Sequence, residues 1–304
     1  MKRLSLVLGM VLSVSMVWAQ NSSVISTTGD YNDAFITQGA ANNNTASILQ
    51  VQNATPLYHA LAQITQGAAS WGKITQYDTR NYATITETMS DRAEIYQNGD
   101  VNNSVIYLWN GTGNNNGYVE QIGDFNYGSI HTTGYYNGTA LDPLLIKQSG
   151  NNNSAIIESG WNAPASNLNK ASIRQSGNLN TSKVRQEGGD WNSARVNQTG
   201  NDDDANLKQA GANLVATIDQ WGGNENIVNL NQTGGNADID QNGAKNKVQG
   251  LQTESELWAS FAGSALDVLQ IGNENTLDLK SASSGAVVDV YQNGLLNKSI
   301  VIQN

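Results

Sequence analysis

The sequence predicts an all-β fold: a β-solenoid with two short strands per turn, about 22 residues per turn and roughly 11 turns, stacked parallel and in register. Three observations predict it. The 304 residues include 41 Asn and 22 Gln but only three Phe and three Pro, which argues against an ordinary hydrophobic core. Glutamines recur about every eleven residues along most of the chain. Between them small or apolar residues alternate with polar ones, a regularity that a disordered chain of net charge −10 would not keep.

The N-terminus reads apart from the repeats. Lys2 and Arg3 precede an apolar run from Leu4 to Trp18, and Val17-Trp18-Ala19 suits small-residue cleavage, so residues 1–19 read as a secretory signal peptide. Residues 20–30 then form a short N-terminal segment, and repeats fill 31–304. The chain has no cysteine, so neither disulfides nor thiolate-bound metal hold an exported product together. The acidic balance, without a basic block, excludes nucleic acid as the main partner, and no segment after the leader is apolar enough for membrane insertion.

The anchoring glutamines begin with Gln38, Gln50, Gln66, Gln76, Gln97, Gln121 and Gln148. They continue with Gln175, Gln186, Gln198, Gln209, Gln220, Gln232, Gln241 and Gln252, and finish with Gln270, Gln292 and Gln303. Five expected places hold Glu87, Leu108, Thr132, Ser159 and Ser281 instead. Counting back in twos from Gln186 gives Val184, Ser182 and Asn180, while Arg185, Lys183 and Thr181 take the other face. That is a strand with one buried side. The same parity places Asn44, Asn102, Asn126, Asn153, Asn192, Asn246, Asn275 and Asn297 inward. "QSGNLN", "QNGAKN", "QIGDFN" and "QNGLLN" supply turn chemistry between strands, and longer connections are expected near 109–117, 133–143, 160–168 and 253–264.

A chain that reverses this often forms either an antiparallel meander or a coil. A meander of this length would have to close or split. A coil stacks each strand on the one two segments away, about 4.8 Å above. Gln then lies on Gln and Asn on Asn, and each buried amide finds its partners in its own copies. An unpaired buried amide costs about 1–3 kcal/mol, so repetition is required rather than incidental.

The spacing Gln-x-Gly-x-x-Asn-x-small-x-x-x-Gln, at Gln175, Gly177, Asn180, Ser182 and Gln186 and again at Gln292, Gly294, Asn297, Ser299 and Gln303, resembles the curlin repeat. The resemblance covers nearly the whole chain after the leader. It implies a secreted subunit of curli-type fibres, a functional amyloid of biofilm matrix and adhesion, on the surface of a Gram-negative-type bacterium. It also implies partners: further copies of the chain, a nucleator or second subunit, and a dedicated outer-membrane export system. The sequence departs from the family in its length, its inserted loops and its short segment before the first strand.

Chemistry-bearing constellations are sparse, and the sequence predicts no enzyme, cofactor or metal site. His59 and His131 have no neighbouring carboxylate or serine elbow. Asp202 to Asp204 read as a gatekeeper that slows aggregation rather than a cation site. "GGNADID" from Gly234 does not recur and reads as a shortened arc. Trp71, Trp161, Trp191 and Trp221 fall in or beside turns, as packing or as rim groups.

Two function classes follow. In the first, open ends add further molecules; the growth edge is Asn297, Ser299, Val301 and Gln303, since "NKSIVIQN" ends in mid-pattern rather than on a polar cap. In the second, a monomeric surface solenoid acts as an adhesin or ice binder. The outward threonines that ice binding needs, Thr37, Thr65, Thr75 and Thr86, give way to Tyr96, Tyr107, His131 and Lys147.

Overall fold

The computed structural model describes residues 21–39, 43–52, 59–109, 113–133, 137–138, 143–160, 168–232, 236–249, 259–261, 265–281 and 287–303. The expected signal peptide, Gln252, Trp161 and the middles of the four expected insertions lie outside them. Within them the chain is all β, in 25 strands, with no helix. Accordingly no described helix is long and apolar enough to cross a membrane.

Successive strands alternate between two sheets, one of twelve strands and one of thirteen. Every pairing within them is parallel, which excludes the meander. Register keeps like on like: Gln175 pairs with Gln198 and Gln198 with Gln220 in the first sheet, and Gln186 with Gln209 in the second. The sequence separation between stacked glutamines of the first sheet runs from 21 to 29 residues, close to the 22 read from sequence.

The stack begins earlier than the sequence suggests. Ser22–Thr28, inside the segment read as 20–30, is itself a strand and pairs with Thr45–Val51. Thr27 holds the glutamine place there, opposite Gln50, so the segment carries no anchor to reveal it.

A seven-residue interior strand, with the residue that enters it, sends four side chains inward. In Asn103–Trp109 and its entry these are Asn102, Ser104, Ile106 and Leu108, all fully buried. The third position forms the core, with Ile48, Ile74 and Ile95 stacked in the first sheet and Ile64, Ile85, Ile106 and Ile130 in the second, each 0% exposed. Small residues at the second position let the sheets approach closely. β-Branched residues suit both the strand and this thin core.

The first-to-second sheet turns are mostly four residues, as at Ser176-Gly177-Asn178-Leu179. Gly177 has φ 115° and Leu179 φ 60°. A Cβ built on Gly177 would stand 1.8 Å from the Gly200 carbonyl oxygen of the next tier, so only glycine stacks here. The stretches where insertions are expected near 109–117, 133–143 and 160–168 each fall between a strand of the second sheet and the next strand of the first. The fourth interrupts a strand instead. Lys247–Gln249 and Ala259–Phe261 share one tier, pairing with Ile227–Val228 and Leu230–Gln232 respectively. Phe261 takes the register place opposite Gln232 that the spacing assigns to Gln252.

Candidate functional site: amide ladders through the core

The first sheet carries an unbroken glutamine ladder. From Gln50 through Gln76, Gln97, Gln121, Gln148 and Gln175, each Nε2 donates to the Oε1 of the next at 2.8–2.9 Å. From Gln175 through Gln198, Gln220, Gln241 and Gln270 to Gln292 the distances are 2.7–2.9 Å. The second Nε2 hydrogen crosses the core: Gln175 donates to the Ser154 carbonyl at 3.0 Å and Gln198 to that of Thr181 at 3.0 Å. Both donors of each amide are thereby satisfied in a water-free interior. All ten ladder bonds point the same way, towards the C-terminal end.

The second sheet carries a broken one. Gln38 donates to Gln66 at 3.1 Å, and Gln66 to Glu87 Oε2 at 2.8 Å. Leu108, Thr132 and Ser159 follow, all inward and buried. The ladder restarts with Gln186 to Gln209 at 3.0 Å and Gln209 to Gln232 at 3.1 Å. Gln186 Oε1 has no partner among the described residues, because Ser159 below it is too short to reach. All five replacements found in the sequence, Ser281 included, fall on this sheet. The backbone of Gln303 pairs with Ser281; its side chain lies outside the described set.

Burial raises the Glu87 carboxyl well above its ordinary range, against the lowering effect of its bond from Gln66. A protonated acid here imitates the glutamine it replaces.

The asparagines form two further columns at the strand entries. In the second-sheet column, Asn81, Asn102, Asn126, Asn153 and Asn180 each offer Oδ1 to the backbone N–H of the residue stacked next, at 2.9–3.1 Å. Asp203, Asn226, Asn246 and Asn275 continue it to Asn297 at 3.0–3.2 Å. The Nδ2 groups tie each tier to the next turn, as from Asn153 to the Gly177 carbonyl at 2.8 Å and from Asn246 to that of Gly272 at 2.9 Å. The first-sheet column contains Asn44, whose Oδ1 accepts from Ser70 N at 3.0 Å, and Asn192, which accepts from Leu214 N at 3.0 Å.

Sequence reading missed Asn81, Asn115, Asn137, Asn169 and Asn226, all buried in these columns. Counting back six from Glu87, Gln121, Gln175 and Gln232 finds four of them; Asn137 escapes because an insertion follows it. The acidic run also divides differently from its reading as a gatekeeper. Asp202 occupies a positive-φ turn position, but Asp203 is buried in the asparagine column. Its Oδ1 accepts from Asn226 N and Nδ2 at 3.0 and 3.1 Å, while Oδ2 has no described partner. Burial pushes its pKa up to about 6.

At the C-terminal end of the described stack, Ser299 Oγ accepts from Gln292 Nε2 at 3.0 Å and Val301 packs partly against the core. Asn297 Nδ2 turns back to the Asn293 carbonyl at 3.0 Å. Lys298–Gln303 and Val288–Leu295 pair on one side only among the described residues.

The histidines meet more than sequence suggested. His59 Nδ1 lies 3.1 Å from Asp33 Oδ2, both exposed. His131 Nε2 lies 3.1 Å from Ser129 Oγ, and burial lowers its pKa. Ser129 is only 1% exposed, so its hydroxyl cannot reach a substrate carbonyl as a nucleophile. The threonine row is shorter than read: Thr37, Thr65 and Thr86 align on the second sheet, but Thr75 belongs to the first and is buried. Trp71 stacks with Arg92 at 4.1 Å, whereas Trp191 and Trp221 are exposed.

Two stretches of the chain, residues 188–211 and 200–234, match the family described as curlin associated repeat. No curated protein matches the chain.

Proposed function

We propose that this chain, a member of the curlin-repeat family, is a secreted structural subunit that assembles end to end into extracellular amyloid-like fibres for biofilm matrix and adhesion. One observation carries the reading: the glutamine ladder of the first sheet runs in a single direction through every tier after the Thr27 strand, from Gln50 to Gln292. A ladder of this kind is extended by another copy of itself. The N-terminal face offers Gln38 with its Oε1 towards the missing tier, and the C-terminal face offers the edge of Asn297, Ser299 and Val301, with the backbone of Gln303. Edge strands at both faces, paired on one side only among the described residues, supply the backbone groups for docking. Function then resides in the stack rather than in a pocket. A nucleating subunit and an outer-membrane export system are the partners this role requires.

The test is incubation of purified residues 20–304 at micromolar concentration. Thioflavin-positive fibres with a 4.7–4.8 Å meridional spacing are expected. A folded protein that stays monomeric for days would overturn the reading and favour the monomeric surface solenoid. Within that alternative, ice binding is disfavoured by a threonine row of three tiers.

A further inference from the structure

The outer faces of the two sheets treat charge differently. On the second, opposite charges neutralise each other: Glu158 holds Lys183 at 3.0 Å and Arg185 at 3.2 Å, and Glu187 holds Arg185 at 2.8 Å and Lys208 at 3.0 Å. On the first they pair towards the N-terminal end, Lys73 with Glu94 and Lys147 with Glu120 at 2.8 Å each, and segregate along the axis beyond it. Arg174 and Arg195 stand exposed on adjacent tiers, one tier beyond Lys147. The sign then reverses. Asp219 stacks against Asp240, Asp238 against Asp267, and Asp267 against Asp289. Neither arginine, and none of these five aspartates, has an ion pair among the described residues.

Stacking like charges about 4.8 Å apart is unfavourable. Asparagines at such places would bond to one another, as Asn206 does to Asn229 at 2.9 Å. Partial burial first, and then the neighbouring aspartates, push Asp240 up to about 6 and raise Asp238. The surface is also grooved. One depression of about 390 Å³ is lined by Arg174 and Arg195 together with the Lys147–Glu120 pair, and one of about 390 Å³ by Asp219, Asp240 and the half-exposed Trp221.

We propose that this face is a lateral docking surface for a second copy of the chain lying antiparallel, with the Arg174–Arg195 patch of each copy against the Asp238–Asp240 patch of the other. Charge complementarity selects both the partner and its direction. A twofold axis along the strands, in the plane of contact, reverses the order of tiers, so basic tiers face acidic ones twice. A parallel copy in the same register would set like against like. The contact is sideways, so it is independent of growth at the ends.

Sedimentation velocity of the freshly prepared full-length mature chain tests this, before any fibres form. The parent should dimerise at about 20 mM salt and dissociate at about 0.5 M, since such contacts are screened. R174E/R195E and D238K/D240K should each keep the strand signal in circular dichroism and bind themselves about tenfold or more weakly. An equimolar mixture of the two should associate again, because both contacts then pair opposite charges. The proposal fails if either variant dimerises like the parent, or if the mixture stays monomeric. It also fails if the parent is monomeric and its arginines instead retain a fluorescent anionic polysaccharide. End-to-end growth by the variants would be unchanged, which separates this result from the fibre reading.

Discussion

At the scale of single residues, position in the ladder decides what an amide is worth. Gln198 accepts from Gln175 and donates to Gln220 and to the Thr181 carbonyl, so Q198L removes three bonds and leaves the Gln175 donor and the Gln220 acceptor without their ladder partner. Gln186 makes two, to Gln209 and to the Lys170 carbonyl, its Oε1 being already without a partner. Q198L should therefore cost roughly 2–4 kcal/mol and Q186L about two thirds as much, read from the denaturation midpoints of the two variants; equal losses would contradict the ladder account. Asp203 supports a second prediction. Its folded pKa of about 6 stands above the ordinary 3.8, so its protonated form adds stability that is fully present below about pH 4 and lost as pH rises through 6. D203N restores the missing donor in the form that Asn180 uses towards the Gly200 carbonyl at 3.0 Å. It should gain on the order of 1–2 kcal/mol at pH 7, reduced for screening, and little at pH 4. Thermal melts at the two pH values measure it, and a gain of the same size at both would remove the titration argument. The inward glutamines were legible because each is spelled by its spacing. Asp203 was not, because an acid is normally a surface residue and only its place in the asparagine column buries it.

At the scale of the element, the two kinds of turn carry different constraints. The Ser176–Leu179 turn is bonded on both sides, from Gly177 N to the Ser149 carbonyl at 2.9 Å, Asn178 N to Asn201 Oδ1 at 2.8 Å and Leu179 N to the Asn151 carbonyl at 3.0 Å. It also stacks two positive-φ residues in register with the tiers beside it. Five extra residues between Asn178 and Leu179 should lower the melting temperature by about 10 °C or more, since several buried bonds are lost together. The same five residues inserted between Pro164 and Ala165, where the sequence reads a longer connection near 160–168, should change it by less than about 3 °C, since lengthening a long connection adds only a small closure entropy. Comparable losses at the two sites would mean that the return connections are as constrained as the turns. Strand parity and the short turns were readable from residue type, since Gly two after Gln and Asn three beyond it have few other uses. Two features were not read. Ser22–Thr28 has threonine where its anchor should be, and Ala259–Phe261 enters its tier after an insertion that breaks the count. The confinement of the five replacements read from sequence to one sheet was present in the sequence, as the alternation of odd and even segments, but it acquires meaning only once those segments are known to occupy separate sheets.

At the scale of the whole molecule, the solenoid is directional, and this shapes the last prediction. The ladder donates towards its C-terminal end throughout, so its two faces differ: acceptors stand towards the N-terminal side and donors towards the other. Joining two N-terminal faces would oppose acceptor to acceptor, so growth should be head to tail. Each junction then uses one face of each kind. I300P/V301K places an inward charge on the C-terminal edge and removes a backbone donor from it, while I36K places a charge on the N-terminal edge strand Asn32–Gln38. Interior tiers should survive in both variants, because each tier is stabilised mainly by its immediate neighbours. A trace of the first variant can still dock through its intact N-terminal face, and it then caps the end it joined. The second variant caps the opposite end. Two-colour microscopy of parental seeds should show growth stopping at one end with either variant alone and at both ends with the two together. If one variant alone stopped both ends, or if neither stopped any, the faces would be equivalent or unused, and a directional ladder would not be what propagates the fibre.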